Sequence, residues 1–285
     1  MDLQNKIKHL FSTQRKVWQL LDDNHSQLRN VNTKLIEWDN ETKIILQQNP
    51  WSHHAHTTDI NTNDIDTNSI KMQKCVFCEE NRTPIQKSIP FLDRYIILCN
   101  PYPVLQNHLT IQLYSHVPQL IGKKIIDMLS LVELLPNYIV LYNGAKCGAF
   151  TPWHFHFEAG LKTDILLSSE NALRSCFRIE AKTKEEAEQE FYYVFDYLKS
   201  HQPEKKEPLM NIISFTENEQ FIIHIFPRKT YRPWQYSAND ESSILVSPNA
   251  IDMAGMVIIP QQKDFDKITN NDIEDIFTQV SMPII

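Results

Sequence analysis

Polar and aromatic side chains alternate with a period of two through His154-Phe155-His156-Phe157-Glu158. That period predicts a strand with His154, His156 and Glu158 on one face and Phe155, Phe157 and Ala159 in the core behind it. Asn143, Gly144 and Gly148 precede it in a turn-forming run whose glycines let backbone come close to a ligand. Turn amides beside a His-x-His strand suit phosphate chemistry, against the simpler reading of a half-buried strand whose polar face carries histidines.

The same reading extends along the chain. Leu3, Ile7, Leu10, Phe11, Val17, Trp18 and Leu21 recur at helical spacing and predict one amphipathic helix over residues 3–22 that packs on a sheet or covers its edge. Lys34 to Trp38 and Lys43 to Leu46 predict a hairpin, and Asn49 to Lys71 a solvated polar loop whose His53, His54 and His56 are expected to be exposed. Arg94 to Cys99, His108 to Leu113 and Tyr138 to Tyr142 read as strands, and Pro118 to Leu135 as a helix stopped by Pro136. Thr183 and Glu186 form a capping box for a helix buried through Ala187, Phe191, Val194 and Leu198. Met210 to Phe215 and Gln220 to Phe226 are the strands of a hairpin around Glu217-Asn218-Glu219. Ser247 to Pro260 ends in a strand, and Thr269 to Val280 is a capped helix. The order predicts an α+β fold with a largely antiparallel sheet. Three segments are expected: 1–72 with the helix, hairpin and loop, 73–170 with the chemistry, and 171–285.

Composition narrows the function. Hydrophobic residues make up 42% of 285, an ordinary globular share, and the net charge of −7 argues against a general nucleic-acid binder. No run approaches the ~18 apolar residues of a membrane span and the N-terminus lacks a signal-peptide core, so a cytoplasmic protein is expected. An anionic substrate then needs a local cationic pocket. Arg228, Lys229 and Arg232 put three cations within five residues after the last predicted hairpin strand, either as a solvated loop or as holders of phosphate oxygens.

Five cysteines are an odd number, and Cys75-Val76-Phe77-Cys78 has the spacing with which one turn brings two thiolates to a zinc ion. No second C-x-x-C exists, so histidines must complete the site. His116, after a predicted strand, and His154 are the expected partners, against two reduced core cysteines and two satisfied histidines.

Asn143-Gly144, Gly148 and His154-x-His156-x-Glu158, with Cys75-x-x-Cys78 and His116 upstream, resemble the galactose-1-phosphate uridylyltransferase branch of the histidine-triad (HIT) superfamily, which includes the diadenosine tetraphosphate phosphorylases and the plant GDP-L-galactose phosphorylases. The strings CVFCEENRTPIQ, NPYPVLQNHLTI, YNGAKCGAF and SPNAIDMAG are more closely similar to a bacterial family of unassigned function related to those enzymes. The resemblance implies two HIT-like halves, with residues 73–170 catalytic and the Arg228 to Arg232 run of the second half near the phosphates. It implies that His156 attacks the α-phosphate of a nucleotide donor, forming a nucleotidyl-histidine that a second substrate discharges. It implies structural zinc on Cys75, Cys78, His116 and His154, and a phosphate side at Asn143, Gly144, Gly148 and Phe150, with room for magnesium on the substrate phosphates. His108 matches a position without an assigned role. The expected partner is a nucleotide or nucleotide sugar, with a homodimer allowed and neither nucleic acid nor membrane.

Two positions depart from the branch, which has Gln where this chain has Glu158 and Ser where it has Phe150. An ionised Glu158 only accepts hydrogen bonds and repels phosphate. Either burial keeps it protonated, or it orients His156 as an acceptor, or transfer activity is lost. A nucleotidyltransferase or phosphorylase therefore competes with a hydrolase and with a zinc-stabilised nucleotide binder.

Overall fold

The computed structural model describes residues 2–37, 43–52, 75–162 and 173–284. Trp38 and the run with His53, His54 and His56 lie outside them. The N-terminal apolar spacing yields two helices, α1 (Leu3–Val17) and α2 (Gln19–Gln27), not one. Asp2 caps α1 by accepting from the Asn5 N–H. The break falls at Trp18, whose extended backbone (φ −124°, ψ 92°) interrupts the helical ladder. Val17, expected inward, is exposed, while Trp18 turns toward the cavity described below.

β1 (Thr33–Glu37) and β2 (Lys43–Gln48) pair antiparallel as expected. The second edge of β2 takes β11 (Met256–Ile259) in parallel, making a small three-stranded sheet. The main sheet contains β3 (Ser88–Phe91), β4 (Tyr95–Cys99), β5 (Leu109–Leu113), β6 (Tyr138–Asn143), β7 (His156–Leu161), β8 (Phe177–Ala181), β9 (Met210–Glu217) and β10 (Gln220–Pro227). Its order is β3-β4-β5-β7-β6-β9-β10-β8, with every neighbouring pair antiparallel. The predicted α+β fold is the observed one. β6 pairs with β9, so the sheet runs without interruption from the first half of the chain into the second.

Alternation sends the two faces of this sheet into different cores. Tyr138, Val140 and Tyr142 of β6 join Phe155, Phe157 and Ala159 beneath α1, α3 (Ile125–Leu134) and α4 (Lys184–His201). Ile139 and Leu141 join a second core with the small sheet, α5 (Ala250–Met253), α6 (Gln262–Lys267) and α7 (Asn270–Val280). With Phe155, Phe157 and Ala159 buried on the first face, His156 and Glu158 belong to the second.

The predicted helix from Pro118 begins only at Gly122, as a 3₁₀ turn (Gly122–Lys124) leading into α3. Gly122 has φ +44°, and the segment before it is held by Gln119. At α4, Thr183 accepts from the Glu186 N–H, but the Glu186 carboxylate accepts from Lys182, so only half of the expected capping box forms. Thr269 and Asp272 form a complete one at α7. Among the described residues no helix is long and apolar enough to cross a membrane.

Candidate functional site

Cys75 and Cys78 sit on a turn closed by the Cys78 N–H donating to the Cys75 carbonyl at 3.2 Å, which Asn81 Nδ2 reinforces at 2.9 Å. His116 follows β5 and His154 precedes β7, so three segments converge. Cys75 Sγ lies 3.4 Å from His154 Nδ1, and Cys78 Sγ 3.1 Å from His116 Nδ1. All four ligand atoms fall within 4.8 Å of one another. His154 Nε2 donates to the Leu113 carbonyl at 2.8 Å, which leaves the Nδ1 lone pair facing the sulfurs. These residues can hold a metal ion.

His154 stands outside the strand that the alternation predicted, because β7 begins at His156. Two residues after the cluster, the backbone of His156 is gripped by one side chain. Gln119 Oε1 accepts from the His156 N–H at 2.8 Å, while Gln119 Nε2 donates to the carbonyls of His156 and Asn143, both at 2.9 Å. That clamp ties the start of β7 to the end of β6. His156 Nδ1 lies 2.9 Å from the His154 carbonyl, and a carbonyl only accepts, so Nδ1 carries the proton and Nε2 the lone pair. Burial pushes the His156 pKa down to about 4, so the ring is neutral at pH 7.

The ring of Phe77, from the cysteine turn, meets His156 edge-on at 4.9 Å and His154 at 5.8 Å. Phe77, Phe150 and Glu158 line a cavity of about 410 Å³, within the range of small-molecule sites. Glu158 faces Thr110 across β5. Burial pushes its pKa up to about 7, and Asn143 Nδ2 donates to it at 3.4 Å. Near neutral pH the carboxyl is thus available in a protonated, donating form. With Nδ1 of His156 engaged by His154, Glu158 does not orient that nitrogen. Phe150 forms an apolar wall, its ring 6.1 Å from that of Phe77.

Several expected phosphate ligands are engaged elsewhere. Asn143 Oδ1 accepts from Asn211 Nδ2 and the Ala250 N–H. An added Cβ at Gly144 would meet the Met210 carbonyl at 3.0 Å, and one at Gly148 (φ +88°) would meet Asn249 Cβ at 2.5 Å. These glycines therefore admit the C-terminal segment; only Gly148 also borders the cavity. Arg228 is the plainest correction. It is fully buried, and its guanidinium donates to Asn211 Oδ1 at 2.6 Å and to the carbonyls of Pro248, Tyr231, Thr230 and Val280. It is a structural cross-tie that cannot also reach a ligand. Arg232 lies over the rings of Tyr231 and Tyr236 and donates to Ser247. Lys229 is exposed, and neither residue lines the cavity.

The cavity wall also holds residues that sequence reading missed or left without a role. Trp18 and Trp51 come from segments read as helix packing and polar loop. His108 accepts the Val104 N–H on Nδ1 at 3.3 Å, and burial pushes its pKa down to about 3. Its Nε2 is buried without a partner. Arg82 stands four residues beyond Cys78, inside one of the family-like strings, where an arginine alone carries no signal.

Residues 10–161, more than half of the chain, match the family described as "Domain of unknown function (DUF4922)". The chain belongs to this family. The match begins within α1 and takes in α2, β1 and β2 as well as the cluster and β7. No curated protein matches this DUF4922 chain. Among solved structures it is similar to yeast Ap4A phosphorylase Apa2, at 12% identity and a TM-score of 0.58 over 93% of this chain and 97% of that one. Apa2 in complex with AMP gives 13% identity, a TM-score of 0.57 and coverage of 95% and 97%. Apa2 in complex with Ap4A gives 13%, 0.55, 93% and 97%. At such identity the likeness speaks for the fold, which is the HIT-like one implied by the motifs.

Two outcomes follow from this geometry. Elemental analysis of the purified protein is expected to find about one bound metal ion per chain, lost in Cys75→Ser and on chelation at moderate denaturant. Glu158 titrates at about 7 in the fold against an ordinary 4.5, so its burial costs stability progressively as pH rises through that window. Between about pH 5 and pH 8 the wild type should lose more stability to urea than Glu158→Gln; equal losses would contradict the assignment.

Proposed function

We propose that the protein is a nucleotidyltransferase or phosphorylase acting on a nucleoside diphosphate sugar or a dinucleoside polyphosphate through a nucleotidyl-His156 intermediate. One observation carries the reading: His156 is neutral, fixed at both backbone groups by Gln119, and protonated on Nδ1, which leaves the Nε2 lone pair as a nucleophile on a ring that packs against Phe77 of the cavity wall. The likeness to a phosphorylase solved with AMP and with Ap4A supports a nucleotide as the ligand.

In the first step the Nε2 lone pair forms a P–N bond to the α-phosphorus, and the bond from that phosphorus to the bridging oxygen breaks. The oxygen leaves with the electron pair on the departing phosphate or sugar phosphate. The His156 Nδ1–H stays on the His154 carbonyl and stabilises the charge the ring acquires. In the second step an acceptor oxygen, from inorganic phosphate or a sugar phosphate, attacks the same phosphorus and the P–N bond breaks. Protonated Glu158 donates a hydrogen bond toward the phosphoryl oxygens, the part that Gln takes in the related branch. Asn143 holds the carboxyl in place.

Two thiolates and two imidazoles suit zinc. Cys75, Cys78, His116 and His154 would hold it, and zinc there would supply a rigid tie between the cysteine turn and the start of β7. Residues 73–170 and 171–285 are read as two HIT-like halves sharing the main sheet, with 1–72 as an N-terminal addition.

Product analysis tests the proposal. With a dinucleoside polyphosphate or a nucleoside diphosphate sugar, added inorganic phosphate should shift the product from nucleoside monophosphate to nucleoside diphosphate, and His156→Ala should slow turnover by about a thousandfold or more. Monophosphate alone at any phosphate concentration would make the protein a hydrolase. Nucleotide binding without turnover of any donor would leave a binder.

A further inference from the structure

The cavity wall contains one guanidinium and one carboxyl among the described residues, Arg82 and Glu158, and no lysine. Burial holds Glu158 largely in its neutral form below pH 7, so Arg82 supplies the cavity's full charge. We infer that Arg82 binds the phosphate oxygens of the ligand in this cavity, the task expected of the Arg228 to Arg232 run. The inference rests on the cavity being a nucleotide site, as proposed above.

Three observations place Arg82 in this role. Its Nε is buried and has no hydrogen-bond partner among the described residues, an arrangement that costs stability unless a ligand completes it. No ion pair involves Arg82 among the described residues, although Glu79 and Glu80 lie on the same turn and the chain carries a net charge of −7. Its backbone is fixed: the Arg82 N–H donates to the Glu79 carbonyl at 3.3 Å, closing a 3₁₀ turn (Glu79–Asn81) that follows directly on Cys78. The side chain therefore leaves a turn that continues directly from the cysteine turn, whose Phe77 packs against His156. A planar guanidinium whose Nε–H has no partner among the described residues matches the oxygens of a phosphate, which Lys, a point charge, matches less well.

The competing explanation is that Arg82 serves the thiolates, since its charge also favours ionised Cys78. Binding separates the two. Affinities for AMP, inorganic phosphate and adenosine would be measured by calorimetry on the metal-loaded full chain, in the wild type, Arg82→Gln and Arg82→Lys. The expected result is a loss of about ten- to a hundredfold for AMP or for inorganic phosphate in Arg82→Gln, a smaller loss in Arg82→Lys, and no change for adenosine. Which anion loses affinity tells whether the oxygens belong to the nucleotide or to the incoming phosphate. Should Arg82→Gln fail to fold, Arg82→Lys alone decides, by a loss for an anion without a loss for adenosine.

Unchanged anion affinity in a folded variant would overturn the inference. So would loss of bound metal from Arg82→Gln, which would place Arg82 with the thiolates, or a wild type that binds neither anion. Repeating the series in a His156→Ala background removes the covalent step. Arg82-dependent binding that persists there, with no phosphoryl transfer in the parent, would sink the catalytic reading and leave the anion site standing.

Discussion

Two cysteines and two histidines from three segments converge within 4.8 Å, and everything nearby is positioned by that convergence. The cysteine turn sets Phe77 and Arg82, β5 supplies His116 just past its end, and His154 is the last residue but one before β7. Without an ion the cluster sets two thiols against two imidazoles, with Cys75 and His154 buried and Cys78 and His116 half-buried. With one, four ligand bonds fix the loop that delivers His156. Gln119 completes the constraint by holding the amide and carbonyl of His156 against the end of β6. Attack geometry needs this kind of fixity, since a nucleophile displaced by about 1 Å loses much of its advantage.

Electrostatically the site is set by burial rather than by pairing. Desolvation keeps His156 and His108 neutral and drives Glu158 toward its protonated form. On the proposed reading, an acidic protein thereby offers an anion a neutral nucleophile, a hydrogen-bond donor and one guanidinium. The Glu158 departure from the related branch then costs less than the sequence implies, because a protonated carboxyl and an amide can both donate.

Much of this was legible in the chain. The central alternation put Phe155, Phe157 and Ala159 in one core and His156 and Glu158 on the opposite face, and the C-x-x-C spacing with His-x-His pointed to the four cluster residues. The strands that escaped reading, β3 and β8, are the two edges of the sheet. β3 is four residues with Pro90, and β8 alternates Arg178 and Glu180 outward, so neither needs the apolar run that marks a central strand. The break at Trp18 and the unwound Pro118 to Ile121 segment were invisible because tertiary partners override helical spacing there. Arg228 was misplaced for a related reason: a basic run looks solvated or ligand-binding in sequence, and only the fold shows five acceptors closing around one guanidinium. Gln119 and Arg82 carry no sequence signal, since what distinguishes them is which atoms they reach.

The account turns on a covalent bond to His156. Intact-mass spectrometry after rapid acid-free quenching, with peptide mapping, reads it directly on protein exposed to a panel of nucleoside diphosphate sugars and dinucleoside polyphosphates. The account predicts a mass gain of one nucleoside monophosphate located on the peptide that contains His156. Turnover that proceeds with no adduct at any time during a single cycle, or an adduct that persists in His156→Ala, would contradict it.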